Sequence, residues 1–264
     1  MFMAVRNQWR VCMLSLKYNM MREMLNKVTF LSNIVFMMLN NAAFIVQWQI
    51  LFHLRKEIGG YTMREVMLLW ALAAGSFGLS RMVCARAFAL PELIIGGKLD
   101  AYLVMPKNVL LSVITSETNT SAIGDLLYGL VVFCAFCFRL DRLVLFAFFT
   151  VTGAVIITAF ALLAGSLAFW LVRADALGYH MVMGMVSFAT YPDGIFHGTA
   201  RFLLYCIVPV GMAVYHPVHE IMQFTAGGLL LVTGYAGLLT AVAVLVFYRG
   251  LRRYASGNLM EARM

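Results

Sequence analysis

The chain has 264 residues, 62% of them hydrophobic and only 12% charged, with a mean hydropathy of +0.86. An ordinary soluble domain is about half apolar and about a quarter charged, so this composition excludes one. The net charge of +8 collects beside apolar runs, which fits insertion signals and anionic lipid headgroups rather than a nucleic-acid-binding face.

Uncharged runs of about 20 residues are long enough to cross a bilayer, and six crossings with their connections use nearly the whole sequence. The chain therefore reads as an all-α polytopic membrane protein with six transmembrane helices. No separate soluble catalytic domain fits beside them. Residues 1–27 are punctuated by Arg6, Arg10, Lys17, Arg22 and Lys27. That spacing leaves no uninterrupted apolar core for a cleavable signal and predicts an interfacial amphipathic helix.

The membrane domain then occupies residues 28–249. Its first span, 28–54, is free of charge, and the second covers 61–84. A loop of residues 85–117 leads to a third span at 118–138, and a short turn joins that to the charge-free run 143–172. The fifth region is irregular: 177–190 is apolar but short, Tyr191-Pro192-Asp193-Gly194 interrupts it, and a second apolar run follows at 202–214. Proline lacks an amide donor and disfavours helix before it, so the segment 191–217, with Pro209 and Pro217, is expected to be a broken or re-entrant helix. The sixth span is placed at 221–248, followed by a basic tail at 250–264.

With six spans, one side carries fourteen of the twenty Lys and Arg residues and the other five, with Arg201 left inside the broken segment. The richer side is cytoplasmic, so both termini face the cytoplasm and the 191–217 segment faces outward.

Ionisable groups inside spans are candidates for function because burying them is costly. Arg81 and Asp125 sit near the same ends of consecutive spans, where they either pair or each reach the interface. Asp193 and Arg201 fall in the broken segment, either lining an aqueous outer gate or as water-exposed ends. The five cysteines, Cys12, Cys84, Cys134, Cys137 and Cys206, are odd in number and mostly lie in apolar surroundings, which argues against a disulfide framework. Cys134 and Cys137 have no second pair and no nearby histidine, so they read as packing residues rather than a metal site. Ser76, in the stretch Ala74-Gly75-Ser76-Phe77-Gly78, invites an intramembrane hydrolase reading, but small residues on a span usually mark close helix packing. The abundant methionine and phenylalanine suit either a pathway for amphiphiles or ordinary lipid-facing packing.

The loop 85–117 holds Leu90-Pro91-Glu92 and then Gly97, Lys98, Leu99, Asp100, Tyr102 and Pro106, with glycine and proline bracketing a short amphipathic stretch. Its Gly-x-Leu-Asp-x-Tyr-Leu-x-x-Pro pattern is joined by Tyr-Pro-x-x-Ile-Phe from Tyr191, Ile-Val-Pro-Val from Ile207, Tyr-x-Pro from Tyr215 and a closing Tyr-Arg-Gly-Leu-Arg-Arg-Tyr from Tyr248. In this order the motifs resemble the permease subunits of type-2 ABC exporters. The resemblance implies two permeases facing each other, identical or sister subunits, with two cytoplasmic ABC ATPase subunits docked on short coupling helices. It places residues 97–106 in an ATPase groove, with a second contact at the 173–175 turn. It also makes the re-entrant segment, with Tyr191, Pro192, Asp193, Arg201, Pro209 and Pro217, the outer closure of the pathway. No Gly-x-x-x-x-Gly-Lys-Ser/Thr phosphate loop occurs in the sequence, so ATP and Mg belong to the partner and the chain carries no cofactor of its own. The implied location is a bacterial-type cytoplasmic membrane. A passive channel or assembly protein and, further off, an intramembrane hydrolase are the alternatives.

Overall fold

A charge-free stretch in a bilayer satisfies its backbone groups only by closing them into a helix, and helices dominate the computed structural model, which describes residues 2–171 and 174–255. The first, α1 (Phe2–Glu23), precedes a short turn at Asn26, whose side chain accepts the Thr29 amide and starts α2 (Lys27–Leu54). A tight hairpin leads into α3 (Met63–Phe88), which is kinked at Cys84. The connecting loop then folds into three short helices, α4 (Leu90–Ile95), α5 (Asp100–Leu103) and α6 (Val109–Ile114). Next come α7 (Ser121–Phe136), α8 (Leu140–Ser166) and α9 (Ala174–Phe188). The remainder consists of α10 (Thr199–Cys206), a π-helical turn at Gly211–Tyr215, α11 (His216–Met222) and the long α12 (Ala226–Leu251).

Four of these helical stretches are long and apolar enough to cross a membrane, and the bent pair of Thr199–Cys206 with Gly211–Met222 adds a fifth if counted as one span. The expected six are therefore not all present as full-length helices. The third expected span is the 16-residue α7, and the fifth begins with the 15-residue α9. The last span starts later than the hydropathy suggests. Thr225 caps α12 by accepting the Gly228 amide at 3.1 Å, and residues before Gln223 belong to the separate α11.

Helix α3 is the centre of the bundle. Every residue from Val66 to Ala73 is buried, and the helix packs on α7 and α8. Lipid tails are as apolar as leucine, so close backbone approach has to hold such helices together. Gly78 supplies it here: a Cβ at that position would lie 2.6 Å from the Ala122 carbonyl oxygen of α7. Ser76, fully buried on the same helix, lies against Gly153 of α8 and serves that packing. A second apolar cluster closes the end that carries α4 to α6. Leu90, Leu93, Ile94 and Leu99 pack there on Ala159 and Leu162 of α8 and on Ala243 and Phe247 of α12.

Candidate functional site

Two groups of residues, at opposite ends of α3, carry the features singled out in the sequence. The first is built on the hairpin between α2 and α3. Ile58 and Tyr61 exchange backbone hydrogen bonds of 3.1 Å in both directions, and the turn between them has positive φ at Gly59 (58°) and Gly60 (78°). Two consecutive left-handed residues are the requirement of a type I′ turn, which glycine meets without a steric penalty. Thr62 donates its amide and hydroxyl to Glu65, at 2.7 and 2.8 Å, and so opens α3. Tyr61, held between turn and cap, points inward with 3% of its surface exposed.

Its partner is Asp193. Pro192 ends the irregular stretch after α9, and Asp193 begins a single 3-10 turn, Asp193–Ile195. The carboxylate is buried, yet three donors reach it, one from the hairpin and two from α10. Tyr61 donates to Oδ1 at 2.8 Å, while Arg201 Nη2 at 3.0 Å and the Tyr205 hydroxyl at 2.9 Å donate to Oδ2. A buried carboxylate is tolerable only with such compensation. His219 of α11 completes the group, its Nε2 lying 3.1 Å from the Tyr61 hydroxyl. Since the phenol proton is committed to Asp193, the histidine has to donate from Nε2. Burial, and then the hydrogen bond to Asp193, raises the Tyr61 pKa above that of a free tyrosine.

Backbone contact reinforces this polar contact. A side chain on Gly194 would collide with the Gly59 carbonyl, so the hairpin tip and the 3-10 turn touch backbone to backbone. Tyr191 is half exposed and meets Trp48 of α2 edge-on at 6.2 Å. Pro209 lies buried in the break between α10 and the π-helical turn, where the axis bends by 73°. Pro217 is buried in the first turn of α11. At the other end of α11, Glu220 is buried and accepts the Thr225 amide at 2.7 Å, closing the link to α12.

The second group is the α4–α6 corner. Gly97 has φ of 66°, a conformation that lets the chain reverse between α4 and α5. Leu99 is wholly buried and anchors the corner, whereas Lys98 and Pro106 are exposed. Asp100 opens α5, Tyr102 is half-buried, and Leu103, Val104 and Met105 form an exposed apolar edge, Val104 at 84%. Tyr254, just past α12, comes beside Asp100. Burial, and after it that carboxylate, pushes the Tyr254 hydroxyl up to about 12. Arg86 at the end of α3 pairs with Glu117 at 2.7 Å. The 173–175 turn lies outside the residues whose side chains are described, as does residue 173 altogether.

Arg81 and Asp125 are not brought into an ion pair. Asp125 accepts from Asn41 of α2 at 2.6 Å. The Arg81 guanidinium instead lies over the rings of Phe77 (5.5 Å) and Phe88 (5.7 Å). Asn41 lies at the middle of α2, 84 positions from Asp125, and the charge-based reading of the sequence passed over it. Cys137 donates weakly to the Arg64 carbonyl while Cys134 is exposed, so the two do not act together. Among the described residues no three His, Cys, Asp or Glu side chains gather to hold a metal ion.

Long apolar helices around a buried α3 define an integral membrane protein. The model of the family described as ABC-2 family transporter protein matches residues 36–257, and the chain belongs to that family. The match takes in the α4–α6 corner, the Asp193 cluster and the broken helix, and makes the chain a membrane component of a transporter. No curated protein and no solved structure matches the chain.

Proposed function

We propose that the chain is the permease subunit of an ATP-driven ABC exporter. It forms the substrate pathway with a second permease, identical or sister, and depends on two ABC ATPase subunits for ATP and Mg. In this reading the chain crosses the bacterial cytoplasmic membrane six times, with both termini cytoplasmic. The short α7 and the pair of α9 with the broken helix supply the crossings that are not full-length helices. The ATPases dock on the α4–α6 corner at residues 97–106. Their closure moves α3 and α8 as rigid bodies, and the segment 191–217 opens outward.

The observation that carries the reading is the family match over residues 36–257. Two features support the division of labour. The exposed edge of Leu103, Val104 and Met105 stands on a corner anchored by Leu99, which suits transmission of a push. The Asp193 cluster holds the broken helix against the first hairpin at the opposite end, which suits a closed gate.

The test is purification of the tagged protein from its own host in mild detergent, with mass spectrometry of what accompanies it. Stoichiometric recovery of an ATPase with a phosphate loop is the expected result. Reproducible absence of one from folded, monodisperse protein overturns the reading in favour of a passive channel or assembly role.

A further inference from the structure

Asp125 of α7 is 6% exposed, and its partner Asn41 stands at the middle of α2. A carboxylate at that depth has no bulk water around it and is expensive to hold without a counter-charge. Asn41 donates to Oδ1 at 2.6 Å, and the second oxygen accepts no hydrogen bond from a described residue. Arg81 acts on the carboxylate only from beyond ion-pair distance, its guanidinium stacked on Phe77 and Phe88 at 5.5 and 5.7 Å. The charge of Asp125 is therefore only partly met within the chain.

Asp125 also lines a cavity of about 360 Å³ between α2 and α9, over the face of α3. Small-molecule sites span roughly 300–1,000 Å³, so the space suits a compact ligand. Its wall is largely aromatic. Phe44 is stacked on Trp70 with ring centroids 4.4 Å apart, and Phe77 and Tyr191 extend the surface. Among the described residues that line it, Asp125 is the one acidic side chain, and there is no Lys, Arg or His.

A carboxylate short of donors attracts an ammonium group, and the negative faces of aromatic rings attract it again. Water would serve the carboxylate but gains nothing from the rings. A lipid acyl chain would suit the rings but leaves the carboxylate unmet, and an anion is repelled.

We propose that this cavity binds a hydrophobic primary amine, one ammonium group on a compact apolar body. The ammonium donates to the second oxygen of Asp125, and the body lies against Phe44 and Trp70, between Ala74 of α3 and Val186 of α9. The site needs only the folded chain and does not depend on the exporter reading.

The experiment is calorimetric titration of the full-length chain in mild detergent, without nucleotide or partner. The probe is 2-phenylethylamine, protonated at neutral pH, and the control is 2-phenylethanol, which has the same body and no charge. Saturable binding of one amine per chain is expected, with the alcohol weaker by about tenfold, as for hydrogen bonds to charged against neutral groups. Asp125→Asn keeps the shape of the side chain and should bring the two ligands to equal affinity. Ala74→Leu fills the cavity without changing charge and abolishes binding of both. Val186→Phe fills it from α9 and replaces Ala74→Leu where circular dichroism shows that variant unfolded. Absence of saturable amine binding, equal affinity of the two ligands for the wild type, an undiminished preference in Asp125→Asn, or unchanged binding in the filled variant overturns the site.

Discussion

The Tyr61 hydroxyl lies 2.8 Å from the Asp193 carboxylate and joins two segments 132 positions apart in sequence. Among the described residues it is the one side-chain donor to Asp193 from outside the broken segment, since Arg201 and Tyr205 follow within 12 residues. Tyr61→Phe keeps the ring and deletes the bond. A hydrogen bond to a charged group contributes about 1.5–3 kcal/mol, so a loss in that range is expected from thermal unfolding in detergent. Thr233→Val, which removes a bond from an exposed hydroxyl to its own helix, serves as the unchanged control.

The same residue sets an alkaline limit. Burial and Asp193 raise the Tyr61 pKa in the folded chain, whereas in the unfolded chain it ionises near ~10. Below pH ~10 both states keep the proton and the contribution is fully present. Above it the unfolded state loses the proton first, and stability falls as pH rises. Denaturation scans from pH 8 to 11.5 should show this fall in the wild type and a shallower one in Tyr61→Phe.

Glycine substitutions should separate close approach from open space. A Cβ on Gly194 meets the Gly59 backbone, which has no flexible side chain to yield, so Gly194→Ala should displace the hairpin from the 3-10 turn. Gly234 in α12 has nothing within 4 Å, and alanine is the better helix former by roughly 1 kcal/mol. Gly234→Ala is therefore expected to be neutral or stabilising. Melting temperatures of the two variants in the same detergent decide the point, and equal values would remove the backbone contact as a determinant.

Asp125 depends on Asn41 for its single hydrogen bond within 3.5 Å among the described residues. Asn41→Leu strands a buried carboxylate and should cost upward of about 1–3 kcal/mol. Adding Asp125→Asn should recover part of that loss, because a neutral amide is cheaper to bury. A double-mutant cycle by thermal unfolding measures the coupling, and additive effects would count against it.

At the opposite end of α3, Asp100→Asn and Pro106→Ala should leave the chain in the membrane while uncoupling ATP hydrolysis from transport in the assembled complex. Wild-type coupling in both variants would remove residues 97–106 from the proposed docking site.

The legibility of the chain followed the range of the interactions. The run 28–54 became α2 almost residue for residue, because freedom from charge over that length leaves a helix as the stable form in lipid. The break at Tyr191-Pro192 was legible for the same local reason. The start of α12 was not, because Glu220 and Thr225 form a cap inside an otherwise apolar stretch and hydropathy does not register it. In the Asp193 cluster, a carboxylate and an arginine eight positions apart stood out in the sequence. Tyr61 and His219 did not, since only the fold brings them there. Gly59-Gly60 directly before an aromatic residue was the available hint: a turn that tight fixes where the next side chain points. Arg81 and Asp125 drew attention as opposite charges, but a ring face and an amide proved the nearer partners.

The distance in sequence between Tyr61 and Asp193 also orders events in synthesis. At about 5–20 residues per second, the hairpin leaves the ribosome on the order of ten seconds before its acceptor exists. Throughout that interval the pair of α2 and α3 has to persist in the bilayer with the phenol unmatched. Its two-glycine turn and the Thr62–Glu65 cap are local devices that need no later part of the chain. The first hairpin is thus built to wait, and the arrival of residues 193–205 marks the moment at which the two halves of the protein become one.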